Sequence, residues 1–179
     1  VLFRSVYQGS QPLAPEYRYC LMQLSPDGGD ATEIREFDLV AKRFVKDGFN
    51  VPVAKSRVSW VDRDTLFIAT DFGPGSMTQS GYARIAKRWR RGTPLSAAET
   101  LYEAQPEDMA VFAYHDRTPG FERDFVGRSL DFYRRDYFLL AQDGRQIKID
   151  IPADAELDTH REWLLIKPSS DWEVGGKRY

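Results

Sequence analysis

One strand cassette occurs twice in this chain, and it limits the fold more than any other feature. Ser56-Arg57-Val58-Ser59-Trp60-Val61-Asp62 alternates polar and apolar side chains, the period of a half-buried strand. An Arg63-Asp64 turn leads into Thr65-Leu66-Phe67-Ile68-Ala69-Thr70. Farther along, Met109-Ala110-Val111-Phe112-Ala113-Tyr114 resembles the first of these strands. After a Gly-containing loop, another strand follows it, Arg123-Asp124-Phe125-Val126-Gly127-Arg128-Ser129. A unit of four short strands recurring about every 40–50 residues is the pattern of a β-propeller blade. Such a sheet cannot bury both faces alone, so blades stack on their neighbours around a central channel. The expected fold class is therefore all-β: a partial β-propeller built of antiparallel four-stranded blades.

The chain has 179 residues, enough for about four blades, while propellers carry roughly four to eight. A fragment of a larger ring is the favoured reading. The aromatic share of 13% suits half-buried strands. The net charge of −2 gives no global pull toward nucleic acid or a membrane surface. No apolar run approaches the roughly twenty residues of a membrane span. The single cysteine, Cys20, excludes an intrachain disulfide and a multi-cysteine zinc site; it reads as a packed structural thiol. There is no initiator Met, and residues 1–5 read as a non-native leader. On that expectation the natural protein extends upstream, and residues 6–179 form an incomplete propeller.

Within it, a partial blade is expected at about residues 16–46, without a convincing inner strand. Its strands are Arg18–Ser25, Glu33–Leu39 and the short outer Arg43–Val45, while Asp47–Pro52 reads as a loop. The next blade spans 55–105, with strands at Ser56–Asp62, Thr65–Phe72, Tyr82–Arg90 and Glu99–Glu103. A third spans 109–151, and the start of another occupies 159–179, with Glu162–Lys167 as its apolar strand. Only Ser96-Ala97-Ala98-Glu99 offers a helical turn.

Residues that could carry chemistry are sparse. Ser76 and Ser80 lie among glycines without the Gly-x-Ser-x-Gly spacing of a hydrolase elbow. His115 and His160 are isolated, with no Glu or Cys at zinc-ligand spacing. Gly73-Pro74-Gly75 lacks the third glycine and following helix of a phosphate loop. Asp27-Gly28-Gly29-Asp30 lacks the further ligands of a calcium loop. Arg84-Ile85-Ala86-Lys87-Arg88-Trp89-Arg90-Arg91 invites a nucleic-acid reading, since Trp89 could stack a base. Alternation puts cations on both faces, which favours a solvated outer strand paired with acids of neighbouring blades.

Taken together, several segments resemble the propeller domain of prolyl oligopeptidase-like serine peptidases, in a bacterial branch. They are Arg35-Glu36-Phe37-Asp38-Leu39, Lys55-Ser56-Arg57-Val58-Ser59-Trp60-Val61-Asp62, Thr70-Asp71-Phe72-Gly73-Pro74-Gly75-Ser76, Lys87-Arg88-Trp89-Arg90-Arg91-Gly92 and His160-Arg161-Glu162-Trp163-Leu164-Leu165-Ile166. The resemblance implies a seven-bladed propeller capping a C-terminal α/β-hydrolase domain in the same parent chain. The Ser-Asp-His triad belongs to that second domain, and no position here matches its motifs. The propeller would then gate a short peptide substrate by size, and this chain alone would hydrolyse nothing. Substrate-channel candidates carried over by position are Lys55, Met109 and Phe132. Lys55 departs from the family's apolar pattern and leaves the preference for proline open. No cofactor, metal, nucleic acid or membrane is expected, and the cytoplasm is favoured over the periplasm.

Two other classes stay in view. One is a non-enzymatic propeller serving as a protein-interaction platform, although the Gly-His and Trp-Asp repeat pairs of such rings are missing. The other is a sugar- or lipid-active propeller with channel carboxylates, for which Asp62 and Asp116 are the candidates and turn roles the simpler account.

Overall fold

The computed structural model describes residues 5–179. The leader read at residues 1–5 therefore lies, apart from Ser5, outside the described residues. The first sheet contains β1 (Val6–Pro12), β2 (Tyr19–Ser25), β3 (Thr32–Asp38), β4 (Arg43–Phe44) and β5 (Asn50–Ala54). The second contains β6 (Arg57–Asp62), β7 (Thr65–Ala69), β8 (Ile85–Arg90) and β9 (Glu99–Glu103). The third contains β10 (Ala110–Asp116), β11 (Arg123–Ser129), β12 (Arg135–Leu140) and β13 (Gln146–Lys148). All pairings are antiparallel between chain neighbours, save that β5 returns to β3. Two hairpins follow, β14 (Glu156–His160) with β15 (Trp163–Lys167), and β16 (Glu173–Val174) with β17 (Lys177–Arg178). The only helical turn among the described residues is a 3-10 turn at Leu95–Ala97. This is the all-β, partial-propeller architecture expected from the repeat.

The middle sheet shows why the blades must stack. On β7, Leu66 and Ile68 enter a core shared with the first sheet, beside Leu21, Ile34 and Val51. Phe67 and Ala69 point the other way, into a core shared with the third sheet, beside Val111 and Val126. The two-residue side-chain period of a strand thus feeds two separate cores from one segment. Neither core could form from one sheet alone.

Three segments differ from the sequence reading. The first sheet has an inner strand: β1 pairs with β2 along its length. A register shift between Tyr7 and Gly9 interrupts its alternation, and its polar residues and terminal Pro12 mask it further. Residues 50–54, read mostly as loop, form β5 and continue the outer edge that β4 begins. Residues 45–49 bulge out between them, with Val45 N–H donating to Glu36 O at 3.0 Å and Glu36 N–H to Phe49 O at 2.9 Å. Finally, β8 is the third strand of its sheet and not an outer one, which buries Ala86 and Trp89.

The interfaces between sheets also carry polar ties. Between the first and second, Trp60 Nε1–H donates to Gln11 O at 2.9 Å. The buried Glu36 carboxylate pairs with Arg63 at 2.6 Å and Arg91 at 2.9 Å. Between the second and third, Val111 N–H donates to Ala83 O at 3.0 Å, Arg88 pairs with Asp124 at 3.4 Å, and Arg117 donates to Trp60 O.

Candidate functional site

The inner strands β1, β6 and β10 border one cavity of about 520 Å³. β10 supplies its longest wall, Ala110 through Tyr114, and β6 supplies Arg57, Val58 and Ser59. The β11–β12 turn closes one side with Asp131 and Phe132. The three sequence candidates Lys55, Met109 and Phe132 all line this cavity, although each comes from a different connection.

Lys55 follows β5 and bridges two sheets. Its Nζ lies 2.9 Å from Asp30 and 4.7 Å from the centre of the Tyr82 ring. The hydrogen bond to Asp30 raises the Lys55 ammonium above its ordinary value, so it stays charged. Met109 is fixed through its backbone: its N–H donates to Ser129 O at 2.9 Å, and its carbonyl accepts from Thr78 Oγ1 at 3.0 Å. Phe132 is the opposite case, with 79% of its surface exposed at the tip of a turn. The turn itself is fastened, because Asp131 Oδ1 accepts from the N–H groups of Tyr133 at 2.8 Å and Arg134 at 2.7 Å.

Sequence reasoning missed two cationic members, Arg57 and Arg135. Arg57 opens β6, inside the cassette that identified the fold, so it was visible as a residue but not as part of a site. Arg135 opens β12. Its Nε donates to Ser129 Oγ at 3.1 Å, and its guanidinium lies 5.1 Å from the Phe112 ring centre. Aromatic packing stiffens this wall: Tyr114 stacks on Phe125 at 5.1 Å and lies 6.2 Å from Phe112. Burial pushes the Tyr114 phenol up, so it stays neutral.

The remaining candidates are accounted for by structure. Ser76 Oγ donates to Gly73 O at 2.7 Å and accepts from Phe72 N–H at 2.8 Å, which ties it into its own loop. His115 Nδ1 lies 2.7 Å from Asp124 Oδ1 beside a polar concavity of about 710 Å³, whose lining includes no Ser or Cys. His160 is exposed on β14, opposite Trp163, and Ser80 is exposed in its loop. Asp62 caps its turn by accepting from Asp64 N–H at 2.7 Å. Burial would raise the Asp116 carboxyl, but hydrogen bonds from Thr118, Arg123 and Thr159 outweigh it and hold it at about 2. Cys20 is buried, and burial raises its thiol. Trp89 is occupied too, with Nε1–H donating to Thr93 O at 2.9 Å and its ring 5.0 Å from Phe49. Arg84, Arg88 and Arg91 are spent on Glu103, on Glu99 and Asp124, and on Glu36 and Asp64. Among the described residues, no group of three or more His, Cys, Asp or Glu could hold a metal ion.

Stacked antiparallel sheets whose first strands border a common cavity define part of a β-propeller. Residues 6–119 match the model of the "Prolyl oligopeptidase, N-terminal beta-propeller domain" family, and the chain belongs to that family. It is 32% identical over 177 residues to an uncharacterized peptidase of Sinorhizobium fredii, covering 93% of this chain and 24% of the relative. An uncharacterized peptidase of Rickettsia prowazekii is 26% identical, over 93% of this chain and 25% of its own length. Among solved structures, a post-proline cleaving enzyme from Rickettsia typhi superposes with a TM-score of 0.88 at 26% identity, covering 97% of this chain and 27% of that one. Oligopeptidase B from Leishmania major shares the fold, with a TM-score of 0.63 at 15% identity over 96% of this chain and 23% of its own. The chain thus spans about a quarter of the length of the curated relatives it matches.

Proposed function

We propose that this chain is the substrate-gating propeller portion of a serine peptidase that cleaves short peptides. The observation that carries the reading is the cavity of about 520 Å³ framed by three inner strands, in a chain of the prolyl oligopeptidase propeller family. A channel bounded by paired strands admits a flexible peptide and rejects a folded domain by sterics alone. On this reading the acyl-transfer machinery belongs to an α/β-hydrolase domain elsewhere in the parent chain. The likeness to a post-proline cleaving enzyme supports a peptide substrate. Lys55, Met109 and Phe132 are then contacts along the peptide's route, with Met109 the apolar surface and Phe132 a side chain at the mouth.

The test is a length series of fluorogenic peptides, together with a folded protein carrying the same cleavage sequence, offered to the full-length parent. The expected result is turnover of the short peptides and sparing of the folded substrate. The isolated 179-residue chain is expected to show no turnover. Equal cleavage of the folded substrate would end the gating role, and an inert parent would end the peptidase reading.

A further inference from the structure

The cavity has a charge imbalance that size gating does not require. Four charged side chains line it: Lys55, Arg57, Asp131 and Arg135. Two of them are already neutralised. Lys55 is paired with Asp30. Asp131 accepts from Arg134 Nε at 2.8 Å and from two backbone N–H groups. Arg57 and Arg135 have no carboxylate partner among the described residues. Arg135 is instead held by neutral groups, Ser129 Oγ at 3.1 Å and Tyr137 Oη at 3.4 Å, and by stacking on Phe112. Elsewhere in the chain several arginines find acids, as Arg63 and Arg91 do with Glu36, and Arg128 with Asp108.

We infer that Arg57 and Arg135 form a carboxylate-recognition subsite, which makes the preferred substrate a short peptide bearing an anionic group. This rests on the peptide-gating reading above. A guanidinium offers paired N–H donors that match the two oxygens of a carboxylate, and the match is strongest where a wall excludes part of the solvent. Met109, Phe112 and Phe132 provide that wall for apolar parts of the same peptide. The stacked, tethered Arg135 gives a fixed anchor, and the exposed Arg57 gives a second cation that attracts the peptide and then closes on it. The carboxylate can come from an acidic side chain or from the peptide's own C-terminus.

The experiment uses the full-length parent and four versions of one peptide: Glu or Gln at an internal position, each with a free or an amidated C-terminus. Binding is read by calorimetry and kcat/KM by turnover. The expected result is a preference of about tenfold for a carboxylate-bearing peptide over its uncharged twin, the factor of a single charge-assisted contact of ~1.4 kcal/mol. The Glu/Gln pair and the acid/amide pair separate the two sources. The preference should collapse in Arg57→Gln/Arg135→Gln and at ~1 M salt, where screening reaches about 3 Å. If Arg135→Gln fails to fold, Arg57→Glu alone should reverse the preference. A wild-type ratio near one overturns the subsite, and so does a preference that survives both arginine substitutions. A parent that binds the acidic peptides selectively without cleaving them would sink the peptidase reading and leave the subsite standing. Turnover without charge preference would do the reverse.

Discussion

A carboxylate with no solvent contact must be held by donors or cations, or its burial costs several kcal/mol. Glu36 is such a group, 1% exposed on β3. Burial raises its carboxyl above the ordinary value, while Phe49 N–H and the Arg63 guanidinium pull the other way. Phe49 N–H donates to Glu36 Oε2 at 3.0 Å, so the carboxylate fixes the bulge at residues 45–49 as well as the two arginines. Gly48 is required there, because a Cβ would lie 2.9 Å from Val45 Cβ and 3.0 Å from Glu36 Oε2. The bulge in turn aims Phe49 into the first core, edge-on to Trp60 at 5.8 Å and Trp89 at 5.0 Å. Arg91 lies 4.5 Å over the Phe49 ring, and Arg63 lies 3.9 Å over Tyr19. One acid thus organises two guanidiniums, one bulge and one aromatic plug. Glu36→Gln keeps the shape but leaves both arginines facing a neutral amide. The expected loss is about 2–3 kcal/mol, below the full cost of a broken buried pair because the arginines keep some solvent. Hydrogen exchange of the first two sheets in the parent chain measures it. A change below about 0.5 kcal/mol would mean that the pairs contribute no more than surface ones.

At the level of elements, the third sheet is set by a close approach across two strands. Phe112 on β10 lies opposite Gly127 on β11, and a Cβ at Gly127 would meet the Phe112 ring at 2.1 Å. The glycine is needed for space, since the Cζ end of the Phe112 ring occupies the place of its side chain, and the aromatic stack continues through Tyr114 to Phe125. Gly127→Ala is expected to destabilise the propeller by about 1–3 kcal/mol through overpacking. Adding Phe112→Ala should recover much of that loss, as two residues in contact do not behave additively. Urea midpoints of the parent, its two single variants and the double variant decide the point; simple additivity would refute the contact. Gly127 was legible only as part of a strand, because its meaning depends on a partner fifteen positions away. The same limit explains the other gaps. β6 alternates from Arg57 to Trp60, and β7 and β11 carry short apolar runs at Leu66–Ala69 and Phe125–Gly127, so all three are legible directly. β1 carries the irregularity at Gly9, and β5 carries Asn50 and Pro52, so local pattern hid both. Phe49 looked like a loop residue because the bulge that directs it inward is closed by Glu36, and no short-range signal links the two. Lys55, Met109 and Phe132 were reached through resemblance. The two arginines beside them are not legible as site residues, since a cation at a strand start carries no sign of what it faces.

The molecule as a whole is a stack in which every interior sheet has two faces to cover. The middle sheet covers both, so Leu66, Phe67 and Ile68 are almost fully buried. The β14–β15 hairpin does not: Trp163 is 63% and Leu165 51% exposed. On the first sheet, the edge strand β1 leaves Val6 51% and Tyr7 58% exposed. Such surfaces on a two-stranded hairpin and a sheet edge are templates for association with other chains. In a closed ring, neighbouring blades would cover them. The isolated 179-residue chain is therefore expected to self-associate at micromolar concentration, with exposed hairpin residues driving the contact. Light scattering coupled to size exclusion reads the mass directly. Trp163→Lys/Leu165→Lys should shift the population toward monomer, because a charge in each contact is costly to bury. The parent chain should stay soluble under the same conditions. A wild-type chain that ran as a monomer and unfolded in one cooperative step would show that three stacked sheets suffice without a ring. The exposed hairpin would then be an ordinary surface, and its apolar side chains would need a different explanation.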